Sequence, residues 1–156
     1  MFCLKIRDMK QVLAIVVVLM FAACKEEAPV DEFALKDFEF SGCNFEKSTK
    51  LYSKQSVEYR YGEGNLLHLK HVDVYFNCCQ PENNLQVDVR LEGDTIFVSE
   101  YEKAPGLCKC TCLYNMECTV GPLQKKKYWI VVQSGETEVC RFQVRFNEGL
   151  DGAICF

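Results

Sequence analysis

The stretch Leu107-Cys108-Lys109-Cys110-Thr111-Cys112-Leu113-Tyr114-Asn115-Met116-Glu117-Cys118-Thr119-Val120 decides how the rest of the chain reads. Taken two at a time, Cys108, Cys110, Cys112, Tyr114, Met116, Cys118 and Val120 share one side, while Lys109, Thr111, Asn115, Glu117 and Thr119 share the other. Successive side chains of an extended chain point to opposite faces, so the alternation predicts one long half-buried strand over residues 107–120. Its inner face carries sulfur where most strands carry aliphatic carbon. Ala104-Pro105-Gly106 before it and Gly121-Pro122 after it are breaks.

The same period continues on both sides. Residues 33–40 suggest a first strand, ended by Ser41-Gly42. Residues 66–76 suggest a second, in which Leu67 and Leu69 share a face but Val72, Val74 and Phe76 fall in the opposite phase. A bulge near Lys70-His71 would reconcile the two halves. Pro81 has no N–H for a ladder and ends that strand. Residues 85–91 alternate cleanly, Glu92-Gly93-Asp94 turns, and residues 95–101 return as a hairpin. A last hairpin joins residues 127–133 to 139–146 across Ser134-Gly135. No amphipathic helix and no internal repeat emerge. Strands at this spacing with turn signals between them predict an all-β, antiparallel β-sandwich of seven or eight strands; a small closed barrel is the alternative. Leu123 followed by a polar turn and Tyr128-Trp129-Ile130-Val131-Val132 resembles the corner of immunoglobulin-like and fibronectin-like sandwiches, where a tyrosine near the start of the penultimate strand ties back to an upstream loop.

At 156 residues the chain suits one domain. A net charge of −4 argues against a general nucleic-acid binder, and the one basic run, Lys125-Lys126-Lys127, reads as a solvated loop. The N-terminus shows the order of a lipoprotein signal: Met9-Lys10, an apolar run over residues 12–21, then Ala22-Ala23-Cys24. That run is too short to span a bilayer, which takes about 20 residues. Phe21-Ala22-Ala23-Cys24 resembles the bacterial lipobox, with Phe where Leu is commoner. The alternative is a buried apolar helix with Cys24 as one more thiol.

On the lipoprotein reading, residues 1–23 are the signal peptide (with Met9 as the start if residues 1–8 are dispensable), 24–32 a lipidated tether, and 33–156 the cysteine-rich β-sandwich domain. Removing Lys5, Arg7, Lys10 and Asp8 takes the net charge from −4 to −6, so lipid and not charge would hold the domain at the membrane. Lys25-Glu26-Glu27 resembles the acidic surface-export signal of Bacteroidetes lipoproteins, and no Asp follows Cys24 to retain the chain at the inner membrane. The expected location is the outer membrane, anchored through diacylglyceryl and amide-linked palmitate-type chains at Cys24, facing either the periplasm or the cell surface. Asn-x-Ser/Thr is absent, and Asp94-Thr95-Ile96 resembles an O-glycan acceptor of Bacteroidetes exported proteins.

Eleven cysteines suit an oxidising compartment. With Cys24 given to lipid, the folded part holds Cys43, Cys78, Cys79, Cys108, Cys110, Cys112, Cys118, Cys140 and Cys155 as disulfide candidates. Residues i and i+2 of a strand lie about 6.5–7 Å apart, at or beyond the disulfide limit, so Cys108, Cys110 and Cys112 need partners on another segment. Adjacent Cys78 and Cys79 point to opposite faces and are natural partners. Cys140 can meet Cys118 or a member of the triplet, and Cys43 and Cys155 can tie the ends of the domain. Nine is odd, so at least one thiol is left over; with eight paired, 105 connectivities are open.

The main reading is a set of structural disulfides, each worth about 2–4 kcal/mol. The alternative is a thiolate site for copper(I) or zinc(II) built from Cys78, Cys79, Cys108, Cys110, Cys112 and Met116. Reactive thiol chemistry comes third, because no C-x-x-C precedes a helix. His68 and His71, three apart on one strand, point to opposite faces unless the bulge turns one. No catalytic grouping appears, so the chain is expected not to be an enzyme.

The Cys78-Cys79 pair, the hairpin over residues 85–101, the C-x-C-x-C-L-Y run at residues 108–114 and Tyr128-Trp129-Ile130-Val131-Val132 together resemble a group of cysteine-rich lipoproteins of gut Bacteroidetes with immunoglobulin-like sandwich folds and uncharacterised activity. The resemblance covers residues 65–133; the group usually carries Asp where this chain has Asn115. It implies location and fold. The functional expectation is a lipid-anchored, non-enzymatic binding or accessory module for a protein or glycan ligand, without a cofactor on the main reading.

Overall fold

In the computed structural model, which describes residues 32–44, 54–81, 84–104 and 108–156, two β-sheets pack face to face. Nine strands occur among the described residues: β1 (Ala34–Phe40), β2 (Ser56–Tyr61), β3 (Leu67–Asn77), β4 (Leu85–Glu92), β5 (Thr95–Glu102), β6 (Thr111–Gly121), β7 (Lys127–Ser134), β8 (Thr137–Arg145) and β9 (Leu150–Cys155). One sheet is ordered β1-β6-β3-β2-β9 and the other β4-β5-β7-β8. The chain is therefore an all-β sandwich, with nine strands where the sequence pattern suggests seven or eight.

The two strands missing from that pattern pair with each other. β2 and β9 run antiparallel from Ser56↔Cys155 to Tyr61↔Leu150 at one edge of the five-stranded sheet. Val57, Tyr59 and Tyr61 alternate, but over only six residues; β9 carries Gly152 and Ala153 at its centre, so neither announces itself. The second sheet is mixed, because β5 and β7 pair in parallel, from Thr95↔Trp129 to Glu100↔Ser134. Between them the chain leaves for the other sheet as β6 and returns. A parallel pair needs such a crossover, and here a strand of the facing sheet supplies it.

β6 lies between β1 and β3. Cys112, Tyr114, Met116, Cys118 and Val120 are buried in the core, while Asn115, Glu117 and Thr119 are half-buried. The strand starts at Thr111, however, and not at Leu107. Cys108 and Lys109 form a bend that leaves the ladder, so the predicted extended run is shortened at its cysteine-rich end. Leu113 faces the other way and is buried too, because the chain after β1 lies across it: the Ser41 N–H donates to the Asn115 carbonyl and the Asn44 N–H to the Leu113 carbonyl, each at 2.9 Å.

The phase change in β3 is a bulge, placed after His71 and not before it. The register with β6 shifts between His71 and Val74, and Asp73 takes a positive φ of 62°. The Asp73 N–H donates to Asn115 Oδ1 at 3.2 Å. Leu67, Leu69 and His71 face inward before the bulge, as do Val74 and Phe76 after it. Without the extra residue, Val74 and Phe76 would face solvent.

Aromatic rings join the sheets: Tyr59 stacks on Phe142 at 5.4 Å and Tyr61 on Phe146 at 4.9 Å. The corner before β7 is closed twice. The buried Tyr128 hydroxyl accepts from the Gln124 N–H at 3.2 Å, and the Tyr61 hydroxyl donates to the Leu123 carbonyl at 2.8 Å. Gly121 ends β6 at φ 146°, where a Cβ would sit 3.0 Å from the Asn65 carbonyl oxygen and from Leu66 Cδ2. That close approach requires glycine.

Candidate functional site

Four sulfurs converge where β3 ends and β6 begins. The β3–β6 ladder runs out to Asn77↔Thr111, and its continuation sets Cys78 against Cys110, with the Cys78 N–H donating to the Cys110 carbonyl at 3.1 Å. Cys79, in the bend that follows β3, reaches Cys108. Disulfides join Cys78 to Cys110 and Cys79 to Cys108, each with Cα atoms 5.6 Å apart. All four sulfur atoms lie within 4.8 Å of one another, and the side chains are part-exposed. Among the described residues this is the one cluster of three or more His, Cys, Asp or Glu whose ligand atoms come that close.

Asn77 holds the two cysteine segments independently of sulfur. Its Nδ2 donates to the Cys108 carbonyl at 2.6 Å, and its Oδ1 accepts from the Cys79 N–H at 2.9 Å. Its own N–H donates to Glu102 Oε1 at 2.7 Å, an oxygen that also accepts from Gln80 Nε2. Gln80 Oε1 in turn accepts from Asn84 Nδ2 at 2.6 Å, and Asn84 Oδ1 accepts from the Ala104 N–H at 2.9 Å. Sequence reasoning missed this network. Its members are polar residues at strand ends and in turns, with no spacing signature, and only the adjacent cysteines marked the neighbourhood.

The remaining cysteines fall elsewhere. Cys43 bonds Cys112, with Cα atoms 5.6 Å apart, and not Cys155. Cys155 is an exposed free thiol on the edge strand β9, facing Ser56 of β2, at the opposite edge of the five-stranded sheet from β1, after which Cys43 follows. Cys118 and Cys140 are free and buried, and do not bond each other. Three thiols are thus left over in the described residues, against a minimum of one from parity. Of the six ligands in the metal alternative, Cys112 is bonded to Cys43, and Met116 lies 2% exposed in the core beside His71. Starting β6 at Thr111 separates them from the other four: Cys112 and Met116 turn into the sandwich, while Cys108 and Cys110 stay at its end. Cys24, the signal peptide and the tether through residue 31 lie outside the described residues.

The histidines point to opposite faces. His68 Nδ1 meets Thr119 Oγ1 at 2.9 Å on the outer face. His71 faces inward, its Nδ1 2.7 Å from Glu100 Oε2, and both side chains are almost fully buried. Nε2 of His71 has no hydrogen-bond partner. Glu100 was legible in retrospect: it continues the inward series Ile96, Val98 along β5. Burial pushes the nearby Cys118 thiol up to about 12, with the Glu100 carboxylate adding to the effect, so the group stays a neutral thiol and a poor nucleophile. Burial, followed by the Glu138 carboxylate, raises the Cys140 thiol as well.

Outside the core, the outer face of the five-stranded sheet forms an open hollow of about 740 Å³. Asp37, Glu39, Glu58, Glu117 and Asp151 line it together with Arg60, Lys70, His68 and Thr119. Lys70 pairs with Glu117 at 2.7 Å, and that hydrogen bond holds the ammonium above its usual range. The face is polar and predominantly acidic.

Compared with protein-family models, curated proteins and solved structures, the chain matches none.

Proposed function

We propose that this chain is a lipid-anchored, extracytoplasmic β-sandwich of the outer membrane that acts without catalysis, as a binding or accessory module for a protein or glycan ligand, in the manner of the cysteine-rich Bacteroidetes lipoproteins it resembles. The observation that carries the reading is the set of three disulfides within a single domain, which a reducing cytoplasm would not maintain. The lipobox-like Phe21-Ala22-Ala23-Cys24 supplies the anchor. A non-catalytic role is supported by the chemistry of the core. The His71–Glu100 pair is closed to solvent, and the thiol near it is held protonated. The acidic hollow on the five-stranded sheet is the surface such a module offers a ligand.

The test is intact-mass analysis of the full chain made with its leader in a Gram-negative host. The expected product starts at Cys24, carries acyl mass and partitions into detergent, and alkylation in denaturant without reduction labels three cysteines. Cys24→Ala should leave the leader uncleaved and the chain unacylated. A full-length, unacylated wild-type chain, or one with all cysteines free, would overturn the reading.

A further inference from the structure

The two bridges at the end of the sandwich overlap as staples. Once Cys79–Cys108 is closed, Cys78–Cys110 adds a ring of only about five residues, which constrains the unfolded chain less than a bridge across a long loop would. The arrangement serves another purpose well. All four sulfurs lie mutually within 4.8 Å, so once the two bonded pairs are cleaved and part, small shifts bring them to the edges of a tetrahedron around zinc, where Zn–S bonds of about 2.3 Å place the sulfurs about 3.8 Å apart. We infer that Cys78, Cys79, Cys108 and Cys110 form a redox-gated zinc(II) site, closed as two disulfides when oxidised and open as four thiolates when reduced.

The backbone around the site does not depend on the sulfur bonds. The Asn77 side chain grips Cys108 and Cys79 through their main chain, and the Cys78 N–H holds the Cys110 carbonyl. Cleaving both bridges therefore leaves the four sulfurs facing one another. The gate needs a dithiol reductant. Each disulfide takes up two electrons and two protons as the reductant's two thiols close into a disulfide of their own. The four cysteine thiols then release their protons to solvent as zinc binds. In the third bridge Cys112 is fully buried but Cys43 is exposed, so a reductant can attack it from the Cys43 side, and the four-sulfur site does not require that bridge to stay closed. An all-sulfur tetrahedral set selects zinc among the common hard and borderline divalent ions.

The test uses the full chain, reduced under inert gas, freed of reductant and titrated with zinc(II), with cobalt(II) as a spectroscopic substitute. Expected are one zinc per chain after reduction and none before it, intense visible and thiolate charge-transfer bands with cobalt, and zinc release on reoxidation. Cys79→Ser/Cys108→Ser should weaken binding at least about a hundredfold by removing two of four ligands, while Cys43→Ser/Cys112→Ser should leave it unchanged. Circular dichroism follows the strands throughout. The inference is overturned if the oxidised chain binds as well as the reduced one, or if both double variants bind alike. It is also overturned if cobalt shows no thiolate bands, if only copper(I) is retained, or if the reduced chain loses its strand signal and zinc does not restore it.

Discussion

Replacing Cys43 and Cys112 together with alanine should cost far more stability than removing either bridge at the four-sulfur end. The bond spans 69 residues, but with Cys78–Cys110 intact the effective ring shortens to about 38 residues, through residues 43–78 and back along 110–112. The chain-entropy relation then gives about 4 kcal/mol for Cys43–Cys112. For either paired bridge, with its neighbour intact, the ring is about five residues and the same relation gives about 2 kcal/mol. Alanine at the fully buried Cys112 also loses packing, so each variant is compared with wild type twice in urea, oxidised and fully reduced. The reduced difference measures packing alone, and subtracting it leaves the cross-link. If the corrected cost of Cys43–Cys112 is no larger than that of Cys79–Cys108, the topological argument is wrong.

Two further perturbations probe the core. A folded-state thiol value of about 12 for Cys118, above the ordinary 9.0, means that its contribution is complete below pH 9 and is withdrawn as the pH rises toward 12, on the order of 4 kcal/mol. Tyr61 and Tyr114, both raised by burial, act in the same direction, so the measure is the difference between wild type and Cys118→Ala in urea midpoints at about pH 8 and about pH 11. An identical alkaline loss in the two would refute it. Glu100→Ala strands His71 in the core and should cost about 3–5 kcal/mol, whereas His71→Leu/Glu100→Leu should recover most of that; a double variant as unstable as the single one would show that the pair is not what the core depends on.

Period-2 alternation is a local property, and what it governs was legible. It marked the clean alternation of β4, the strands β5, β7 and β8 and their hairpin turns, the core half of β6 from Cys112 to Val120, and the need for a bulge in β3. The i, i+2 spacing of the Cys108–Cys112 segment pointed its partners to Cys78 and Cys79, although these two pair with Cys110 and Cys108 from a bend that brings their sulfurs together and not onto opposite faces. What remained hidden was decided between segments far apart in the chain. β2 and β9 are strands because each completes the other's ladder across about ninety residues, not because either has a strong pattern of its own. The parallel β5–β7 pair depends on β6 crossing to the facing sheet.

The sequence by itself determined that the chain is a cysteine-rich β-sandwich, because side-chain alternation and turn residues act over a few neighbouring positions. Only the tertiary structure decided which sulfurs meet. Cys112 goes to Cys43 and leaves four others together because β6 begins at Thr111, and that boundary is set by where the β3–β6 hydrogen bonds end. Likewise Glu100 became a buried partner of His71 only when two sheets brought together residues 29 positions apart. Pairing across the fold depends on distance in space, which no local pattern encodes.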